Sequence, residues 1–117
     1  MVKHDLKPLL ACVRGKERYQ RLISGPPDTT GIKSGCVVLQ PGESVGEHVT
    51  EGKEEVIIVL KGQGCVICKD ESPMNVEAGG VVYIPPETYH DVKNTGRDIL
   101  QYIFVVSPVQ QKPRGYV

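Results

Sequence analysis

Apolar and polar positions alternate along this chain in short runs, and the runs are cut by glycine, proline and asparagine. That spacing predicts strands rather than helices. Tyr19 to Ser24 is the first candidate, followed by Thr30 to Gln40 with Gly35 as a bulge. Then come Ser44 to Thr50, Glu55 to Leu60, Gly64 to Lys69, Pro73 to Val76, Val81 to Ile84, Thr88 to Lys93 and Ile99 to Val106. Gly25-Pro26-Pro27-Asp28, Pro41-Gly42, Gly62-Gln63-Gly64, Gly79-Gly80, Pro85-Pro86 and Asn94-Thr95-Gly96 separate them as turns. No stretch after residue 20 holds a helical period. The pattern predicts an all-β sandwich or barrel. Lys3 to Gly15 fits either a short helix or an arm, and residues 108–117 read as a polar tail.

Facing follows from the period of two. His48 and Thr50 share one face of their strand. Glu55, Ile57 and Val59 share a face of the next, leaving Glu54 outward and solvated. Thr88, His90, Val92 and Asn94 share a face of a later one. An antiparallel barrel that brings these strands together converges two imidazoles and a carboxylate, His48, His90 and Glu55, in its interior. Two histidines and one carboxylate with open positions suit a divalent transition metal such as Fe, Mn, Ni or Zn. The open positions admit water, dioxygen or substrate. Glu55 to Leu60 is also apolar on both faces, where a strand with one wet face would alternate. The outer face is therefore expected to be covered by the other sheet, the N-terminal arm or a second subunit.

These residues lie in two stretches that resemble the paired motifs of the cupins, small β-barrels of double-sheet jelly-roll type. The first motif, G-x5-H-x-H-x(3,4)-E-x6-G, is met by Gly42, His48, Glu55 and Gly62, with Thr50 where the second histidine is expected. The second, G-x5-P-x-G-x2-H-x3-N, is met by Gly79, Pro85, His90 and Asn94, with Glu87 in place of the glycine. The resemblance spans Gly42 to Asn94. It implies a cupin barrel over about residues 19–108 of one domain, 1–117, with an N-terminal arm. It also implies a metal on His48, Glu55 and His90, and pairing into a homodimer. Three of the family's four ligand positions are filled. Thr50 is a weak donor facing the same way as His48. The implied function is a metal-dependent enzyme, oxygenase- or isomerase-like, acting on a small oxygen-bearing molecule in the barrel. The alternative is a non-catalytic barrel that binds a small, sugar-like molecule with a structural metal or none.

Composition narrows the partners. Lys+Arg and Asp+Glu are both 14, so neither a nucleic-acid partner nor an anionic membrane is expected. The longest apolar run, Val56 to Leu60, is too short to span a bilayer, and the N-terminus lacks a signal-peptide pattern, which points to the cytoplasm. Cys65 and Cys68 form a C-x-x-C, but positions three apart on a strand face opposite sides, so they read as small buried hydrophobes. Cys12 and Cys36 complete the set. Tyr83 and Tyr89 are candidate proton donors or packing aromatics. Gln40 and Gln101 are candidate pocket residues, Arg21 a candidate grip for an anion, and His4 a surface residue.

Overall fold

The computed structural model describes residues 6–109. Nine strands follow in order: β1 (Tyr19–Ser24), β2 (Lys33–Leu39), β3 (His48–Val49), β4 (Lys53–Lys61), β5 (Gln63–Cys68), β6 (Met74–Glu77), β7 (Val81–Ile84), β8 (Tyr89–Asn94) and β9 (Leu100–Pro108). They form two antiparallel sheets, β1-β2-β9-β4-β7 and β3-β8-β5-β6. No helix of the described residues is long and apolar enough to cross a membrane. His4 and the tail beyond Val109 lie outside the described residues.

The period of two sets the facing of the strands. On β4, Glu55, Ile57 and Val59 are buried while Glu54, Val56 and Ile58 are half-buried on the other side. The inward set from β2, β9 and β7 (Val37, Leu39, Leu100, Val82, Ile84) meets Val66, Cys68 and Val92 of the facing sheet in one core. Each fully buried Leu or Ile there contributes about 1.5–3 kcal/mol. This core fixes the register of β4, because a slip of one residue would turn Glu54 in and Ile57 out.

Asn94 closes the core at one end. Its Nδ2 donates to the carbonyls of Leu39 and Asp98, and its Oδ1 accepts from Gly96 N–H. The motif asparagine is therefore a turn clasp.

The arm is not a helix. Residues 6–17 have no regular secondary structure. Gln20 ties it down, accepting from Arg14 N–H and donating to the Cys12 carbonyl, both at 2.9 Å. Gln101 adds a bond to the Gly15 carbonyl from the outer face of β9. The arm thus covers one end of the outer face. Val56, Ile58, Ile103 and Val105 remain only half-buried, and Val81 and Tyr83 are exposed.

Two strand expectations need correction. Of Ser44 to Thr50, only His48–Val49 forms a ladder, with one isolated bridge from Ser44 to Lys93. Gly46 has φ 103°, a backbone that leaves the strand conformation, and Arg18 takes the Ser44 carbonyl. Gly35 is not a bulge, since the register break falls on β1 between Arg21 and Ile23. Gly35 is small because the rings of Phe104 and Tyr19 lie over it; a Cβ would come within 2.8 Å of both.

Candidate metal centre

His48 and His90 are directly opposite partners on β3 and β8, with ring centroids 4.1 Å apart. Glu55 comes from β4 in the facing sheet. One ligand atom from each of the three lies within 4.8 Å of the others. The expectation that Glu55 rather than Glu54 turns inward agrees with burial: Glu55 is 7 % exposed, while Glu54 accepts a 2.7 Å hydrogen bond from the Tyr83 hydroxyl on the outer face. That bond is the main cause of a raised Tyr83 pKa.

Both imidazoles are aimed the same way. His48 Nδ1 lies 2.9 Å from the Gly46 carbonyl and His90 Nδ1 lies 3.1 Å from the Thr88 carbonyl, each two residues upstream. A carbonyl can only accept, so each Nδ1 carries the proton and a neutral ring offers its Nε2 lone pair to the centre. Such outer bonds fix tautomer and orientation in metal-ligating histidines.

His90 Nε2 then meets Glu55 Oε1 at 3.1 Å, both nearly enclosed. With Nδ1 already protonated, this pairs two acceptors unless a proton or a cation sits between them. Burial pulls the His90 pKa down, but the bond to Glu55, the bond to Thr88 and the charges of Glu55 and Asp91 outweigh it and raise it overall. Either a proton or a metal cation satisfies the pair, and the donor set suits a transition metal.

Thr50 is buried and faces the same cavity, as its alternation with His48 predicts. Its hydroxyl is already engaged. It donates to the Pro85 carbonyl at 2.8 Å and accepts from Thr88 N–H at 3.0 Å. Next to it, Glu51 and Glu87 both hold left-handed backbone (φ 55° and 56°), and Glu87 N–H bonds the Glu51 carbonyl. The position of the family's second histidine is here a clasp between the two turns at the rim.

A cavity of about 360 Å³ opens from His48, Glu55 and His90 into the space between β2, β9 and β3. Val37, Val45, Val92, Phe104 and Val106 wall it. Tyr19 stacks on Phe104 at its exposed side, centroids 6.1 Å apart.

Other candidates fall elsewhere. Tyr83 and Tyr89 are exposed, and neither borders the cavity; Lys69 sits over the Tyr89 ring. Arg21 and Gln40 are exposed and do not border it either. Gln101 is buried but holds the arm and Cys36 Sγ. The four cysteines are free. Cys65 pairs opposite Lys93 and Cys68 opposite His90, so the C-x-x-C sulfurs face opposite sides. Cys68 sits beside His90 in the interior, its pKa raised by burial and then by Glu71 and Glu55.

Among the cavity residues that the sequence did not single out, one is polar and buried. Tyr102 is 3 % exposed and lines the same space. The signal was there: counting by two from Leu100 places Tyr102, Phe104 and Val106 on the inner face.

Comparison with known proteins agrees with this architecture. The model of the Cupin domain family matches residues 35–106. An uncharacterized protein of Methanocaldococcus jannaschii is 28% identical over 97 residues, covering 83% of each chain. The oxalate-binding protein of Thermotoga maritima is 34% identical over 68 residues, 58% of this chain and 55% of that protein, so the match spans little more than half of it. The crystal structure of a Cupin 2 conserved barrel domain protein from Salinispora arenicola superposes with a TM-score of 0.69 at 28% identity, covering 90% of this chain and 89% of that one.

Proposed function

This chain belongs to the cupin family, and from that premise we propose that it is a metal-dependent enzyme acting on a small oxygen-bearing molecule in the barrel cavity. The observation that carries this reading is the meeting of His48, Glu55 and His90 within 4.8 Å at the end of an apolar cavity. Two imidazoles and one carboxylate would hold a divalent transition metal, which would supply Lewis-acid or redox chemistry toward an oxygen-bearing ligand. The chain's own residues hold the rest. His48 and His90 present Nε2, oriented by the Gly46 and Thr88 carbonyls. Glu55 supplies the negative charge. The valine and phenylalanine walls make the inner cavity apolar, and exposed His48 marks the entrance.

Elemental analysis of protein purified without chelator tests the site. Near one equivalent of transition metal, lost in His90→Ala, supports it; a chain that takes up no metal on reconstitution sinks it.

The second reading is a non-catalytic binding barrel. Beyond the three ligands, the titratable residues lining the cavity are Tyr19, Glu51, Lys53 and Tyr102, and the first three are exposed. That is sparse equipment for acid–base work. The Thermotoga maritima relative is also named for binding oxalate. Oxalate titrated into metal-loaded protein, followed for both heat and product, separates the two readings. Binding without turnover of this or any other small oxygen acid favours the second.

We extend the proposal to a homodimer through the half-covered outer face of β4, β7 and β9, working in the cytoplasm without a nucleic-acid or membrane partner.

A further inference from the structure

Tyr102 is buried between two strand neighbours. It stands opposite Val37 on β2 and Val59 on β4, with its ring on the inner face. A buried tyrosine hydroxyl normally finds a hydrogen-bond partner. Among the described residues, none bonds this one, yet no fully enclosed side-chain atom is left unsatisfied, so the hydroxyl is not sealed in, and the residue lines the cavity. Packing alone would be served as well by phenylalanine, as Phe104 shows one turn of the alternation away. The polar atom at this position is therefore free to meet whatever fills the cavity.

Its chemistry is one-sided. Burial, with the charges of Glu55 and Asp91, pushes the phenol's pKa well up. The hydroxyl stays protonated across the physiological range and is available as a neutral donor. It faces a space walled by valines and Phe104, with the His48–Glu55–His90 cluster at one end.

We propose that Tyr102 is a second anchoring point for the ligand, donating a hydrogen bond to an oxygen acceptor set apart from the group that meets the metal. The inference rests on the metal-site reading above and adds the ligand's class: a small molecule with an apolar middle, one oxygen function for the metal and a second, carbonyl-like oxygen for Tyr102. A ligand lacking the second oxygen leaves the phenol unpaired in an apolar wall, and binding discriminates against it.

The test uses metal-loaded wild type and Tyr102→Phe, which keeps the ring and removes only the oxygen. The probes are levulinate and the next two longer keto acids, each beside the alkanoate lacking the ketone, with affinity read by calorimetry. Metal affinity of both proteins is measured by chelator competition. The expected result is that at least one keto acid binds wild type about three- to tenfold more tightly than its alkanoate. That preference disappears in Tyr102→Phe, with alkanoate and metal affinities unchanged. A wild type without the preference overturns the inference, as does a preference that survives in the variant or an equal loss for both probes. If the wild type takes up no metal, the parent reading falls and takes this one with it. If metal loads normally but the preference is independent of Tyr102, only this inference falls.

Discussion

Thr50→Val separates the two roles open to the residue that stands in a ligand position. Valine matches threonine in shape and removes the hydroxyl alone. Two hydrogen bonds go with it, to the Pro85 carbonyl and from Thr88 N–H, at 2.8 and 3.0 Å. A net bond is worth about 1 kcal/mol, and a donor left unpaired in a half-buried setting costs about 1–3 kcal/mol. The expected destabilisation is about 2 kcal/mol, or roughly 6–12 °C in Tm for a chain of this size. Urea unfolding of the metal-free protein measures it. Thr50→Ser keeps the hydroxyl and should recover most of the loss. Metal affinity by chelator competition should change little, because the hydroxyl is held by backbone groups. A Thr50→Val protein of wild-type stability whose metal affinity falls tenfold would refute the clasp and make Thr50 a ligand. Thr50→His, the change back to the family pattern, gains an imidazole but breaks the same two bonds. It should therefore bind metal more tightly while unfolding more easily.

Further outcomes follow from the same geometry. His48→Ala, His90→Ala and Glu55→Gln should each weaken metal binding by more than about a hundredfold, the upper range for losing a mere outer-shell partner; Glu54→Gln, which touches only Tyr83, should leave it unchanged. Because the His90 pKa is raised, an incoming ion displaces a proton, and affinity measured by competition should fall as pH drops through that raised value. The metal-free fold should show the opposite trend: the His90–Glu55 stabilisation is full below about 6.5 and is lost as pH rises through the raised value, and flat urea midpoints across that window would count against the pairing. Glu87→Gly should stabilise the fold by about 1 kcal/mol, since relief of left-handed strain exceeds the added entropy of the unfolded chain; a lower urea midpoint would show that the Glu87 side chain matters more than its backbone. Ile58→Asp on the outer face should shift light scattering from dimer to monomer mass without loss of metal, and a wild type that is already monomeric at micromolar concentration refutes the homodimer.

The strand β4 is apolar on both faces, so its register was legible only because the motif spacing from Glu55 to Gly62 singled out Glu55, after which alternation turned Ile57 and Val59 inside with it. Facing by twos and the motif spacing pointed His48, Glu55 and His90 toward one interior, but that His48 and His90 are direct cross-strand partners depends on β3 pairing with β8, which local spacing does not encode. What escaped has a common physical cause, namely partners distant in sequence. Thr50 finds Pro85 and Thr88 more than thirty residues on. Gln101 looked like a pocket residue until the arm supplied Gly15 as its acceptor. Gly35 signalled a bulge when the reason for it was two rings from β1 and β9. The arm stayed undecided because its conformation depends on the tether to Gln20 rather than on its own propensity. Tyr102 was missed for a different reason: nothing in Gln-Tyr-Ile-Phe marks a phenol as unpartnered until the neighbours that fail to pair with it are known.

The three candidate ligands are divided between the sheets, and this division ties the proposed chemistry to architecture. His48 and His90 belong to the four-stranded sheet and Glu55 to the five-stranded one. The apolar core holds the sheets together through Leu39, Leu100 and Val66 away from the mouth, whereas at the cavity end the space between them is open. There the sheets are joined by the His90–Glu55 contact and, beside it, by the Thr50 clasp on the turn that leads into β8. With threonine where the family motif has its second histidine, this position holds the rim through Pro85 and Thr88. For the proposed site, a rim fixed by backbone-directed bonds would hold the two imidazoles at their spacing before any ion arrives. That is the preorganisation a three-residue set needs when it has no fourth ligand to complete its shape.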